Sequence, residues 1–381
     1  MPILESMLTQ ETPKKRFSDK FLLPEVSVVT PTTGELTNGL SYQVYVEDPY
    51  LLSLEPEVLD DIRRTEFEFS MRARENKKNG LWANEPAVVY DHDTKRNKRV
   101  FGDIGSNGTM SEFRDFLSSP GFLAWQGLLP SPQALEYLAG PEAYEDVIGK
   151  DGKLTPIDTN FSNWLKGCVD AQGIRSRASI MAWLIDAQIT KTGIDNPKWI
   201  SVACGTALPA FQTVAHINQG FSPDMRLMDI DRSALTRAEE LHELFDVKGD
   251  INTVIANIFD PDVLGAEEAD MVDAMGIFEY ISPALLDMLK AKYGIDTSPE
   301  IFLSTCYRAL KPGGKLIIGQ MRKDRDYEDF TLGTIGWPYI HTRNPSGVEA
   351  IVSAAGIKDG SLSAYTASDG VYTVYSIDKP C

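Results

Sequence analysis

The sequence predicts a doubly wound α/β domain preceded by a mostly helical α+β region, on three observations. From about Ser201 onward, short apolar runs alternate with amphipathic ones, the rhythm of parallel strands and the helices that cover them. "WISVACGTALPAF", residues 199–211, passes from a strand through a glycine-bearing turn into a helix whose first turn carries Pro209. Near the C-terminus Asp369-Gly370 sits between two alternating runs, a hairpin signal, so the sheet is expected to finish antiparallel.

The strands read as "WISVAC" from 199, "RLMDI" from 226, "INTVIA" from 251, "ADMVDAM" from 269 and "KLIIGQM" from 315. Between them "DRSALTRAEELHELF" has helical spacing of Leu235, Ala238, Leu241 and Phe245, with Asp231 as its N-cap. Two Ser-Pro pairs, at Ser282 and Ser298, open further helices. "PSGVEAIVSAAGI" is a last helix, and "LSAYTASDGVYTVYSID" completes seven strands. Ordinary dinucleotide-binding domains do not usually end in such a hairpin, so this topology is informative.

The first 150 residues read differently. "VLDDIRRTEFEFSMRARENKK" is a long charged helix, "AVVYDHDTKRNKRVFGDIG" a hairpin with His92 in its turn, and "SEFRDFLSSPGFLAWQGLLPSPQALEYL" a set of helices broken at prolines. "GPEAYEDVIGKDGKLTPIDTN" is the most loop-like boundary. It leads into "GIRSRASIMAWLIDAQIT", where Ile174, Ala178, Met181 and Ile185 fall on one helix face. A chain of 381 residues exceeds the usual size of one domain, and we expect two units, 1–155 as lid or substrate platform and 156–381 as the binding domain.

Charge narrows the partners. The formal net charge is −18, and residues 221–310 alone carry 18 acidic against 7 basic side chains. Such a field repels phosphate backbones and anionic lipid, which argues against nucleic-acid and membrane partners. Cys168, Cys204, Cys306 and Cys381 are scattered without a CxxC pair, as in a reduced intracellular protein. No apolar run reaches membrane-spanning length, and the N-terminal "MPILESMLTQETPKKRF" does not read as a signal peptide, so a cytoplasmic location is expected. No metal is expected either: H-E-x-x-H and cysteine pairs are lacking, and only dispersed acids such as Asp260 and Asp273 offer themselves as ligands.

The opening stretch carries the chemistry. A dinucleotide fingerprint needs G-x-G-x-x-G, whereas Ala203-Cys204-Gly205-Thr206-Ala207-Leu208 holds one glycine, and no Gly-Lys pair follows as a P-loop requires. A sulfonium cofactor derived from methionine has no phosphate and makes other demands. The turn must let backbone approach its amino-acid end, and an acid closing the next strand can take the two ribose hydroxyls. Asp229, 24 positions after Gly205, is placed for that, and Asn257 beside Ile258 ends the third strand as an adenine partner, although an asparagine also suits a strand-ending turn.

At this point the chain resembles the class I S-adenosylmethionine-dependent methyltransferases, over roughly residues 172–379. "ISVACGTA", "LMDID", "IANIFD", "MVDAMGIFEYIS" and "ALKPGGKLIIG" stand as the five motifs in order. The resemblance implies a Rossmann-like, mostly parallel seven-stranded sheet ending in an antiparallel hairpin, with S-adenosyl-L-methionine as cofactor. It implies cofactor contacts from Ala203, Gly205, Thr206, Asp229, Ile230, Asn257, Ile258, Met275 and Arg177 and a small-molecule methyl acceptor; a homodimer is one assembly open to the chain, whose oligomeric state the sequence does not fix. "CGTA" and "GWPYIHTR" resemble a less common branch that includes enzymes making methyl esters of hydroxy fatty acids as bacterial signals. The chain departs from the family at Ser201, where an acid is usual, and at Ala203 and Ala207, where glycines are. The carboxylate for the cofactor's amino group therefore has to come from elsewhere.

Methyl transfer is an in-line displacement, so alignment dominates and a base is needed only when the acceptor is weakly acidic. The bases near the fourth strand and the loop after the fifth are Glu279, Tyr280 and His341, with Tyr339 beside them. Arg175 and Arg177, ahead of the first strand, either lie on a solvated face or bind a carboxylate of cofactor or substrate. O-methylation of a carboxylate or hydroxyl is the expected reaction. The alternatives are a binding scaffold that has lost its chemistry and aminopropyl transfer on the same fold, the latter disfavoured because "DAMGIFEY" lacks paired aspartates.

Overall fold

The structure, a computed structural model, describes residues 17–78, 88–91, 96–99, 117, 119–217, 220–323, 325–358 and 361–381. His92 and the first 16 residues lie outside these.

The chain opens with a hairpin of β1 (Glu25–Thr32) and β2 (Leu40–Glu47), then α1 (Pro49–Leu52) and the long α2 (Pro56–Lys78). Next come the hairpin β3 (Val88–Asp91) and β4 (Arg96–Arg99), α3 (Pro120–Leu128), α4 (Pro132–Ala139), the hairpin β5 (Asp146–Ile148) and β6 (Leu154–Pro156), α5 (Thr159–Gly167) and α6 (Val169–Thr192). The alternating part runs β7 (Lys198–Val202), α7 (Leu208–Ile217), β8 (Asp224–Asp229), α8 (Arg232–Phe245), β9 (Ile251–Ile255), β10 (Ala269–Ala274), α9 (Pro283–Tyr293), α10 (Pro299–Ala309) and β11 (Leu310–Met321). It closes with α11 (Pro345–Ala354), β12 (Leu362–Ala367) and β13 (Tyr372–Asp378).

The expected caps are made. Asp231, Ser282 and Ser298 accept hydrogen bonds from the backbone N–H groups of Ser233, Leu285 and Ile301, satisfying donors that a helix start would leave open. Gly370 turns the terminal hairpin with a φ of 72°.

Five parallel strands stand in the order β9-β8-β7-β10-β11, reversing direction of growth between β7 and β10, which is the doubly wound Rossmann-like arrangement. β13 then pairs antiparallel to β11, and β12 antiparallel to β13. The sheet does not stop at seven strands. β2 adds in parallel to β12 and β1 closes the edge, giving nine. Tyr42 of β2 lies in register with Tyr365 of β12 and their rings stack at 4.9 Å, while Val44 is fully buried. Residues assigned by sequence to a separate platform thus complete the main sheet.

The parallel strands are covered on both faces, which is why they read as nearly continuous apolar runs. Trp199, Leu227, Met271 and Ile317 pack with α6, α7 and α8 in one core, and their neighbours Ile200, Met228, Val272 and Ile318 with α10 and α11 in the other. α6 is buried well beyond the single stripe expected from its periodicity, because it lies against the sheet, α4, α5 and α7 together. The solvated-face alternative for its arginines is overturned: both are buried. Arg175 pairs with Asp48 at 2.6 Å, donates to the carbonyls of Leu138 and Lys166, and lies over the Tyr50 ring, tying α6 to the N-terminal elements.

Candidate active site

The stretch after β7 is strained in a regular way. Ala203, Gly205 and Ala207 all adopt left-handed backbone, with φ of 48°, 55° and 53°. Only the central position demands glycine for space as well: a Cβ on Gly205 would stand 2.7 Å from Cβ of Pro132, at the start of α4. The turn is held from the next strand. Asp229, closing β8, accepts from the N–H of Gly205 at 2.8 Å and from that of Asp231 at 2.9 Å. Burial pushes its carboxyl up, and those backbone N–H groups pull it back.

These residues line a cavity of about 470 Å³ along the C-terminal ends of β7, β8, β9 and β10. Its position at the reversal point of the strand order is where doubly wound sheets bind ligands. Ala203, Gly205, Asp229, Ile230, Asn257, Ile258, Glu279, Tyr280 and Arg177, all expected at a site from sequence, come together here. Among the described residues its charged lining is three carboxylates, Asp229, Asp231 and Glu279, against one guanidinium, Arg177. Asn257 also makes a turn, its side-chain oxygen accepting from the N–H of Phe259 at 3.1 Å.

Glu279 and Tyr280 lie in a short 3-10 turn, Phe278–Tyr280, after β10, and Glu279 is buried there. One carboxylate oxygen of Glu279 meets Arg177 at 3.3 Å and the Tyr372 hydroxyl at 3.4 Å, while the other has no protein partner. Burial drives this carboxyl up more strongly than Arg177 draws it down. The Arg177 guanidinium sits 4.6 Å above the Tyr372 ring, and its Nε is unpartnered. The Tyr280 oxygen accepts from Trp337 Nε1 at 2.7 Å, and burial raises its phenol well above the ordinary range.

His341 is not part of this wall. Its backbone N–H donates to the Glu279 carbonyl at 2.6 Å, and its half-buried imidazole is lowered by desolvation and by Arg343 and Lys323. Thr206 and Met275 line a smaller cavity of about 80 Å³, bounded by Gly205, Arg177 and Gly276 as well.

The residues that sequence reasoning missed come from the N-terminal half, from α9 and, with Tyr372, from β13. Pro130, Pro132 and Leu135 roof the large cavity, and Leu285, Met288 and Leu289 form an apolar side wall. The proline-broken helices held the first group in view as structure, but nothing local ties them to Gly205. α4 is fixed in place by Glu136, which pairs with Arg237 of α8 at 3.0 Å and hydrogen-bonds the Tyr144 hydroxyl. Among the described residues no three His, Cys, Asp or Glu side chains assemble as a metal site. Asp273 bonds Trp199 and Ser201, and Asp260 accepts from the N–H of Asp262. No helix among the described residues is long and apolar enough to cross a membrane.

No family model matches the chain, and no curated protein matches it by sequence. Solved structures similar to it include a possible exported protein from Bordetella parapertussis, 15% identical, with a TM-score of 0.49 and coverage of 88% of this chain and 99% of that one. An O-methyltransferase family protein from Burkholderia thailandensis is 17% identical, with a TM-score of 0.37 over 56% of this chain and 60% of its own. The CurJ carbon methyltransferase is 14% identical, with a TM-score of 0.44 over 71% of this chain and 70% of that one.

Proposed function

We propose that this chain is an S-adenosylmethionine-dependent methyltransferase acting on a small molecule, with a carboxylate or hydroxyl oxygen as acceptor. The observation that carries the reading is Asp229, which closes the second parallel strand, braces the left-handed turn at Gly205 through its N–H and faces the cavity at the strand reversal. Each carboxylate oxygen keeps a lone pair beyond its backbone bond, enough to accept from a pair of ribose hydroxyls.

The charge of the lining supports a sulfonium over a polyphosphate. Three carboxylates against one guanidinium repel a pyrophosphate and favour a cation, and the turn has one glycine where a dinucleotide needs three. Ile230 and Ile258 offer apolar surface to a purine, and Asn257 a polar edge. When bound, the cofactor supplies a methyl carbon already activated for displacement. The protein's part is to orient the acceptor and keep water out.

Two acceptor chemistries fit the floor of the cavity. A carboxylate is ionised at neutral pH and needs alignment but no base. A hydroxyl needs a base, and Glu279, with one oxygen unpartnered and a raised carboxyl, fills that role. Tyr280 stays protonated and, since its oxygen already accepts from Trp337, its O–H is left to donate. The test is calorimetric titration with S-adenosylmethionine, with a nicotinamide dinucleotide as control. Micromolar binding that falls roughly 10- to 100-fold in Asp229→Ala is expected from losing hydrogen bonds to a charged acceptor. Binding indifferent to Asp229, or preference for the dinucleotide, would overturn the reading.

A further inference from the structure

An α-amino-acid end of a ligand brings an ammonium and a carboxylate, and both need buried partners of opposite charge. β7 carries Ser201 where an acid could have met the ammonium. On the neighbouring parallel strand, Asp273 stands in register with Ser201. The Ser201 hydroxyl donates to one Asp273 oxygen at 3.1 Å and Trp199 Nε1 to the other at 2.7 Å, which fixes the carboxylate's orientation. No basic side chain among the described residues pairs with Asp273.

The small cavity beside the Gly205 turn brings the complementary groups to the same place. Among the described residues, Asp273 and Arg177 are its charged lining. Gln212, on α7, also lines it and is 3% exposed, with both amide atoms unpartnered, and Arg177 Nε is unpartnered too. A carboxylate without a cation, a guanidinium with a free N–H and a free amide together match the two ends of a zwitterion.

We infer that Asp273 receives the ammonium, and Arg177 with Gln212 the carboxylate, of an α-amino-acid moiety, so that the acid absent from β7 is supplied across the register by β10. The assignment rests on the proposed cofactor reading and names residues for the end of the ligand that reading leaves open. Burial pushes the Asp273 carboxyl up to about 6, and a cation held beside it would bring it down.

The test uses S-adenosylhomocysteine and 5′-methylthioadenosine, which share nucleoside and sulfur but differ in the amino-acid end. Asp273→Asn is expected to weaken S-adenosylhomocysteine at least tenfold and to leave methylthioadenosine within twofold. The exchange Ser201→Asp with Asp273→Ser, which returns the carboxylate to β7, should recover part of the loss. If Asp273→Asn weakens neither ligand, or both equally, the assignment is overturned while the cofactor reading stands. Wild-type protein that binds neither nucleoside would overturn both.

Discussion

Replacing Arg177 by methionine leaves an unbranched apolar stem two atoms shorter and removes the charge from a place where its partner is equally buried, both side chains being 3% exposed. Glu279 would then be left with the Tyr372 hydroxyl alone. It can remain ionised against an apolar wall or take a proton, and the second route bounds the loss. Keeping an ordinary carboxyl protonated at pH 7 costs about 3.7 kcal/mol. The wild type already bears part of this, because burial holds Glu279 above its ordinary range despite Arg177. Losing the guanidinium over the Tyr372 ring adds about 1 kcal/mol. The expected destabilisation at pH 7 is therefore roughly 2–4 kcal/mol. Its sign with pH follows from linkage. A carboxyl raised in the folded state contributes its stability below the unfolded value and loses it as pH rises through the folded one, so the gap between variant and wild type narrows toward pH 4–5. Urea unfolding at several pH values reads this directly, and Arg177→Met with Glu279→Gln should recover most of the pH-dependent part. A gap independent of pH, or a double variant no more stable than the single one, would refute the reasoning.

Gly205→Ala should cost about 1–3 kcal/mol in denaturant unfolding, from the left-handed φ and the 2.7 Å approach to Pro132, whereas Ala207→Gly should move stability by less than about 1 kcal/mol. Asp273 predicts a pH slope of its own. With a folded carboxyl at about 6, it stabilises the ligand-free protein below pH 4 and loses about 3 kcal/mol as pH rises past 6, so the difference between wild type and Asp273→Asn should follow that curve. Arg237→Gln removes the tether of α4 to α8 through Glu136, and hydrogen exchange over residues 132–139 should quicken by about 1–3 kcal/mol of protection.

The parallel half of the fold was legible because its strands are buried on both faces and its helices are capped by side chains visible in sequence, Asp231, Ser282 and Ser298 among them. The two edge strands were not, although "LSYQVYVE" alternates as a half-buried strand should. β2 joins the sheet through β12, more than 300 residues away, and local periodicity says nothing about such a pairing. The same limit separates the site residues. Gly205 and Asp229 follow from strand ends and spacing, while Pro132 and Tyr372 reach the cavity only through tertiary packing. Arg177 illustrates the middle case. A helix position alone left solvent and site equally open, and its burial against Glu279 and Tyr372 decided between them.

The distribution of charge around the cavity bears on turnover as well as on binding. Under the proposed reading the incoming cofactor carries a sulfonium that the product lacks, so the attraction of Asp229, Asp231 and Glu279 weakens once the methyl has left. The amino-acid end is the same before and after, and any grip on it by Asp273, Arg177 and Gln212 would hold substrate and product alike. A cavity whose acids cluster at the nucleoside and acceptor side can thus discriminate the two states of its cofactor by charge alone. Under the same reading, a half-satisfied Glu279 has two uses. A carboxylate fully neutralised by Arg177 would neither attract a sulfonium nor accept a proton from an acceptor, and a single contact at 3.3 Å with one oxygen free permits both.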